Sequence, residues 1–294
     1  MCSNNNHVKE FIRELQSRCL SANTLTSYES DVDQYLCYCE THGIEILNAS
    51  SEDVRSYIVY LQGKKLKSSS ISRKVSVIKE FYRYHTSNEN ILKDPTLRIR
   101  TPRYQRPIPK FFTPVHIRML LEAPNENTYP GLRDKTILEL LYSSGLRVSE
   151  LCGLRSREVD LNNGMITVIG KGGYYRNIPV TKTALRLMRR YDDVRVSGCD
   201  MFFVEKKGLL MTRFQIYEMM KKYCRQAGIP ELSPHAIRHS FATHMVENEC
   251  NILILSKILG HKNINTTQHY THLDMRSVMN EFHRGHPRDV TVPV

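Results

Sequence analysis

The chain has 294 residues, of which 40% are hydrophobic and 24% charged, ample for two globular domains of about 100–200 residues each. Its 42 Lys and Arg against 30 Asp and Glu leave a net charge of +12, which points to a polyanionic partner. There is no apolar run of about 18 residues to span a bilayer. The Met1–Glu10 stretch is polar and lacks a signal-peptide core, so a cytoplasmic protein bound to nucleic acid, not to membrane, is expected. The eight cysteines are irregularly spaced and form no C-x-x-C pair, which argues against a disulfide framework or a zinc ribbon.

In chain order, the first hundred residues read as all-helical, with helices near 7–19, 24–42, 51–63 and 69–86. Ser50-Ser51-Glu52-Asp53 is a start signal for the third. In the fourth, Ile71, Val75, Ile78 and Tyr82 recur on one face. Lys64, Lys65, Lys67, Arg73, Lys74, Lys79 and Arg83 crowd the same stretch against Glu80 alone, as expected for a helix and leading loop laid on DNA phosphates. A domain over 1–94 then gives way to a linker over 95–110. Pro95, Pro102, Pro107 and Pro109 block helix continuation there, and Arg98, Arg100, Arg103 and Arg106 suit a basic strap around DNA.

The second domain, 111–294, opens at Thr113-Pro114, an N-cap followed by proline. A strongly apolar helix follows at 131–144. Met165–Ile169 and Tyr174–Val180 flank a Gly170-Lys171-Gly172-Gly173 turn and read as a β-hairpin. Helices resume at 182–195, 212–227, 234–248 and 251–259, with one more between Asp274 and Arg288. The fold class expected is mainly α (α+β), with a small antiparallel sheet in the second domain.

Five short features can carry chemistry, and each has a bland reading. Arg147 lies in an elbow after Gly145 and is, alone, an ordinary surface arginine. Lys171, at a hairpin tip between glycines, is alone a soluble turn residue. Ser233-Pro234 start a helix that places His235 and Arg238 one turn apart at a positive N-terminus, an arrangement suited to an anion. His261 follows a glycine-terminated helix, and Tyr270 lies nine residues on. The i, i+4 pair His235 and His239 has the spacing of a zinc helix, but Ala236 stands where a metalloprotease helix needs Glu, and no ligand set is completed.

Taken together, Arg147, Lys171, His235-x-x-Arg238, His261 and Tyr270 resemble the catalytic set of the tyrosine recombinase (phage integrase) family. The strings SSGLRVSEL, GKGGYYR, SPHAIRHSFATHM and LGHKNINTTQHYTH resemble its Xer-type branch. The resemblance spans the chain: the first domain is similar to the family's helical core-binding domain and the second to its catalytic domain. It implies a site-specific recombinase, free of cofactor and metal, that acts on a double-stranded DNA recombination site through a 3′-phosphotyrosine and a Holliday junction. It also implies a homo-tetramer on DNA, room for accessory proteins, and a C-terminal exchange helix.

In that reading Tyr270 is the nucleophile; tyrosine ordinarily ionises near pH 10. Arg147, Arg238 and His261 bind the phosphate. His235 is the general base, Lys171 the general acid, and Glu150 a brace. Lys65, Lys67, Arg73, Lys74, Arg83, Arg103 and Arg176 are expected DNA contacts. A type IB-like topoisomerase and a non-catalytic DNA-binding regulator are the alternatives. Dimer resolution, cointegrate resolution and integration all remain open as biological roles.

Overall fold

The computed structural model describes residues 5–18, 20, 22–101, 111–170, 175–196, 198–205, 208–260 and 275–289. Lys171, His261, Tyr270 and Arg103 lie outside these described residues. The chain divides into two compact units, Met1–Pro107 and Ile108–Val294.

The first unit holds α1 (Asn6–Ser17), α2 (Ala22–Thr41), α3 (Ser51–Gly63) and α4 (Ser68–Ser87). α3 starts where the sequence predicts, because Ser50 and Asp53 form a reciprocal capping box. The core joins Phe11, Leu15, Val32, Leu36, Val54, Leu61, Val75, Ile78 and Phe81. At its centre the Tyr35 and Tyr82 hydroxyls meet at 2.8 Å, and Tyr82 donates to the Ile46 carbonyl. Beyond the expected break at 94, the chain stays packed on this unit for a few residues. Pro95, Thr96 and Ile99 are buried, Ser51 donates to the Pro95 carbonyl, and the Lys79 ammonium donates to that of Ile99. Residues 95–99 therefore extend the helical unit before the basic stretch proceeds.

The second unit is built around α6 (Tyr129–Ser144), capped by Thr128 and ended by Gly145 in the left-handed region at φ +59°. It is buried on nearly every side, which explains its continuous apolar sequence. Around it stand α5 (Pro114–Glu122), α7 (Val148–Cys152), α8 (Lys182–Val194), α9 (Arg213–Gln226), α10 (Pro234–Glu247), α11 (Ile252–Leu259) and α12 (Met275–Gly285). The sheet is antiparallel in the order β1 (Val159–Asp160), β2 (Met165–Ile169), β3 (Tyr175–Pro179), with Ile166 opposite Ile178. The hairpin is where the alternation predicts. The two-residue β1 was not foreseen, since it is too short to carry a period. Mainly α with a small sheet is thus the observed class.

α12 packs on its own domain. Val278 and Phe282 enter the main core. His286 is fully buried among Tyr142, Phe241 and Phe282. Arg288 grips the buried Glu139 carboxylate of α6 with two bonds of 2.9 and 3.0 Å. Asp289 accepts from the Lys182 backbone N–H and pairs with His283. In the single chain, this segment, expected to exchange with a neighbouring protomer, docks on its own domain. The physical reason is that the segment brings its own apolar stripe and a counter-ion for Glu139.

Candidate active site

Arg147 is placed by the turn between α6 and α7. Gly145 supplies the positive φ, and a Cβ there would fall 2.4 Å from the Phe241 ring. The Arg147 backbone N–H donates to Glu150 Oε2 at 2.9 Å and its guanidinium to Oε1 at 2.8 Å. Its side chain remains 42% exposed, so the carboxylate orients it without burying it.

Glu150 is itself nearly buried and is held from the other side by Arg176 of β3, whose two terminal nitrogens reach its two oxygens at 3.0 and 2.9 Å. Burial alone would raise this carboxyl. The bonds donated by Arg176 and by Arg147 outweigh it and hold the group below the ordinary carboxylate range. Arg176 also donates from Nε to the Ile258 carbonyl at 2.9 Å. Arg176 was expected to contact DNA. It is only 12% exposed and paired on both sides, so that expectation is replaced by an internal brace. The bidentate partner lies 26 residues away in sequence and leaves no local signal.

Arg238, on the first turns of α10, is 5% exposed. It donates to the Gly145 carbonyl at 2.6 Å and the Leu259 carbonyl at 2.7 Å. These two carbonyls close α6 and α11, so the guanidinium joins the elbow of Arg147 to the helix end that precedes His261. Burial, and then the charge of nearby Arg147, pull its proton affinity down to about 10. Among the described residues, two of its five N–H donors are thus committed to backbone carbonyls.

His235 sits exposed at the start of α10, one turn from Arg238. Ser233 is the N-cap by backbone geometry, though its side chain makes no capping bond. His239 is half-buried against the edge of Phe111, and His244 is buried with its Nδ1 2.9 Å from the Tyr142 hydroxyl. These histidines thus face different neighbours. Among the described residues no three His, Cys, Asp or Glu groups converge on a point that would hold a metal.

In the first unit, Lys65 and Lys67 are exposed just before α4, and Arg83 is exposed with a bond to Glu80. Arg73 is half-exposed and pairs with Asp31. Lys74 differs from the expectation. It is buried, and its ammonium lies 2.7 Å from the buried Asp31 Oδ1. An unpaired carboxylate inside a helical bundle is costly, so Lys74 serves the fold and is not offered to phosphate.

Comparison with known proteins places the chain in a family. Residues 110–277 match the phage integrase family, and residues 8–89 match the phage integrase N-terminal SAM-like domain. The chain is 36% identical to the tyrosine recombinase XerC of Roseiflexus castenholzii, covering 93% of this chain and 90% of that one. It is 34% identical to XerD of Shewanella oneidensis, covering 95% of each. Among solved structures, the Tn1549 transposon integrase bound to circular intermediate DNA superposes with a TM-score of 0.73 at 20% identity, over 94% of this chain and 98% of that one. A lambda integrase tetramer bound to a Holliday junction superposes at 0.68 with 15% identity, over 88% of this chain and 77% of that one. Among the described residues no helix is long and apolar enough to cross a membrane. The chain belongs to the phage integrase family and is an Xer-like tyrosine recombinase, a DNA-binding enzyme of site-specific recombination.

Proposed function

We propose that this enzyme cleaves one strand of a double-stranded recombination site with the Tyr270 hydroxyl. Attack on phosphorus forms the O–P bond of a 3′-phosphotyrosine and expels the 5′ oxygen. The observation that carries the reading is charge crowding. Among the described residues of the site, Arg147, Arg176 and Arg238 face a single carboxylate, Glu150, leaving an excess of two positive charges beside the elbow and the α10 N-terminus. Like charges held together this way are stabilised by an anion, and a phosphodiester in its transition state carries the charge to match.

Arg147 and Arg238 are assigned to the non-bridging oxygens, with His261 as a further donor. His235, exposed at the helix start, is assigned the Tyr270 proton, and Lys171 protonates the leaving 5′ oxygen. The covalent bond conserves the phosphodiester free energy, so the returning 5′-hydroxyl reseals the strand without ATP. Exchange between two duplexes needs four such sites, hence a homo-tetramer on DNA passing through a Holliday junction, within the cytoplasm. No metal or cofactor takes part in any of these steps.

The test is Tyr270→Phe with a nicked suicide substrate. The variant loses one hydroxyl, so folding and DNA binding should persist while the covalent adduct disappears. An adduct that survives the substitution removes Tyr270 from the chemistry. Strand exchange between two marked sites, against relaxation of supercoils alone, separates recombination from topoisomerase action.

A further inference from the structure

We infer that Arg176 is a positioning residue that governs the reactive pose of Arg147, and that it does so by sharing Glu150. The inference rests on the recombinase reading above and extends it to a residue that touches no substrate.

Arg176 stands where three parts of the second unit meet. It belongs to β3, the strand that follows the Lys171 turn. Its terminal nitrogens form a two-pronged pair with Glu150, the carboxylate that also binds the backbone and side chain of Arg147. Its Nε reads the Ile258 carbonyl at the end of α11. Gly260 lies so close that a Cβ there would sit 3.2 Å from the Arg176 guanidinium carbon. Gly260, at φ +66°, is followed directly by His261 in sequence. One guanidinium thereby sets the spacing of the hairpin, the Arg147 elbow and the α11 terminus.

The electrostatics explain why the pair must be shared. Glu150 is 8% exposed and carries one negative charge between two guanidiniums. With Arg176 in place, the carboxylate is already satisfied by a fork-to-fork pair, so its hold on Arg147 is divided. Arg147 is then steered by Glu150 while its 42% exposed end stays available to a phosphate. Without Arg176, the buried carboxylate has Arg147 as its remaining partner of the two. In a low-dielectric setting it draws that guanidinium inward, away from the substrate. Arg176 is therefore a competitor that keeps Glu150 from capturing Arg147.

This makes a sign prediction that a purely structural role does not. Arg176→Gln should slow single-turnover cleavage of a suicide substrate by about 10- to 100-fold, the usual scale for partners that orient reacting groups. The slope of log K against log salt should remain that of the parent, because Arg176 is assigned no phosphate contact of its own. Adding Glu150→Gln to the Arg176→Gln chain removes the uncompensated carboxylate and should recover a substantial part of the rate, although each change alone is harmful. Arg176→Lys, which returns a charge to Glu150 but not the fork, should fall between parent and Arg176→Gln. Thermal unfolding of every variant is followed in parallel, because recovery of rate at unchanged Tm is the diagnostic pattern.

A double variant as slow as, or slower than, Arg176→Gln overturns the competitor role. So does a salt slope shallower by about 0.9 in Arg176→Gln, which marks a lost phosphate contact. Parental adduct formation in Arg176→Gln overturns this inference alone, whereas absence of any adduct in the parent chain overturns the recombinase reading beneath it.

Discussion

Arg238 is the residue on which the local geometry converges, because it closes two helices with one side chain. Its bonds to the Gly145 and Leu259 carbonyls take up acceptors that a helix end leaves open, and the negative ends of two helices face its charge. Lys171 stands at the opposite extreme: nothing but its place in a glycine-rich turn marks it, and its assigned role as general acid is testable directly. Lys171→Ala should cleave normal DNA about 10²–10⁴-fold more slowly. A 5′-bridging sulfur leaves as a thiolate with little need of a proton, so that substrate should restore most of the rate. Arg147→Ala should gain no such relief, since its assigned job concerns the non-bridging oxygens. Equal rescue of both variants, or of neither, would take the proton-donor role from Lys171. At this scale the sequence displays residue types and spacing but not partners. Arg176 and Lys74 look like any basic residue of a DNA-binding protein, and only the fold brings Glu150 and Asp31 against them.

Elements were legible wherever a cap and a period coincided. Ser50, Thr113, Thr128, Thr181 and Thr212 each accept a backbone N–H at a helix start, and the helix ends at Gly145 and Gly260 are left-handed caps. The position of α12 was less legible, because an apolar stripe shows that a helix will be buried but not by which surface. Its anchor also carries a pH dependence. His286 accepts from the Arg288 N–H at Nδ1, and burial pushes its proton affinity down from 6.5 to about 4. Between those values the unfolded chain binds a proton that the folded chain refuses, so stability is lost as pH falls. That loss should amount to about 2–3 kcal/mol between pH 7 and pH 4.5. The facing groups Asp289, Arg288 and His283 are already within that shift, and buried His244 acts in the same direction. Denaturant unfolding across the range should therefore show a shallower decline in His286→Leu than in the parent. Superimposable curves would dissociate the decline from His286.

The net charge of +12 acts through its distribution over the molecule. Some of it is internal, as in the Lys74–Asp31 and Arg288–Glu139 pairs, and contributes nothing to a distant phosphate. The exposed group at Lys65, Lys67 and Arg83 is available. Replacing each of these by Gln should lower the slope of log K against log salt by up to about 0.9. Lys74→Met should leave the slope alone and instead cost about 1–3 kcal/mol of stability, softened because Asp31 keeps Arg73. Slopes unchanged in all three exposed variants would move the DNA face elsewhere.

The docking of α12 on its own domain also sets how far the proposed nucleophile can travel. Tyr270 lies five residues before Met275, the first residue of α12. A fully extended chain covers about 3.5 Å per residue, so Tyr270 cannot stray more than roughly 17 Å from that point. As long as Phe282, His286 and Arg288 hold the helix to Glu139 and the core, the tyrosine is tethered to the domain that also carries Arg147 and Arg238. If Tyr270 is the nucleophile proposed above, delivery of its hydroxyl to a distant neighbour's phosphate would first require the whole anchor to let go, so a mixed assembly of Tyr270→Phe and Arg147→Ala chains, neither active alone, is expected to form no covalent adduct.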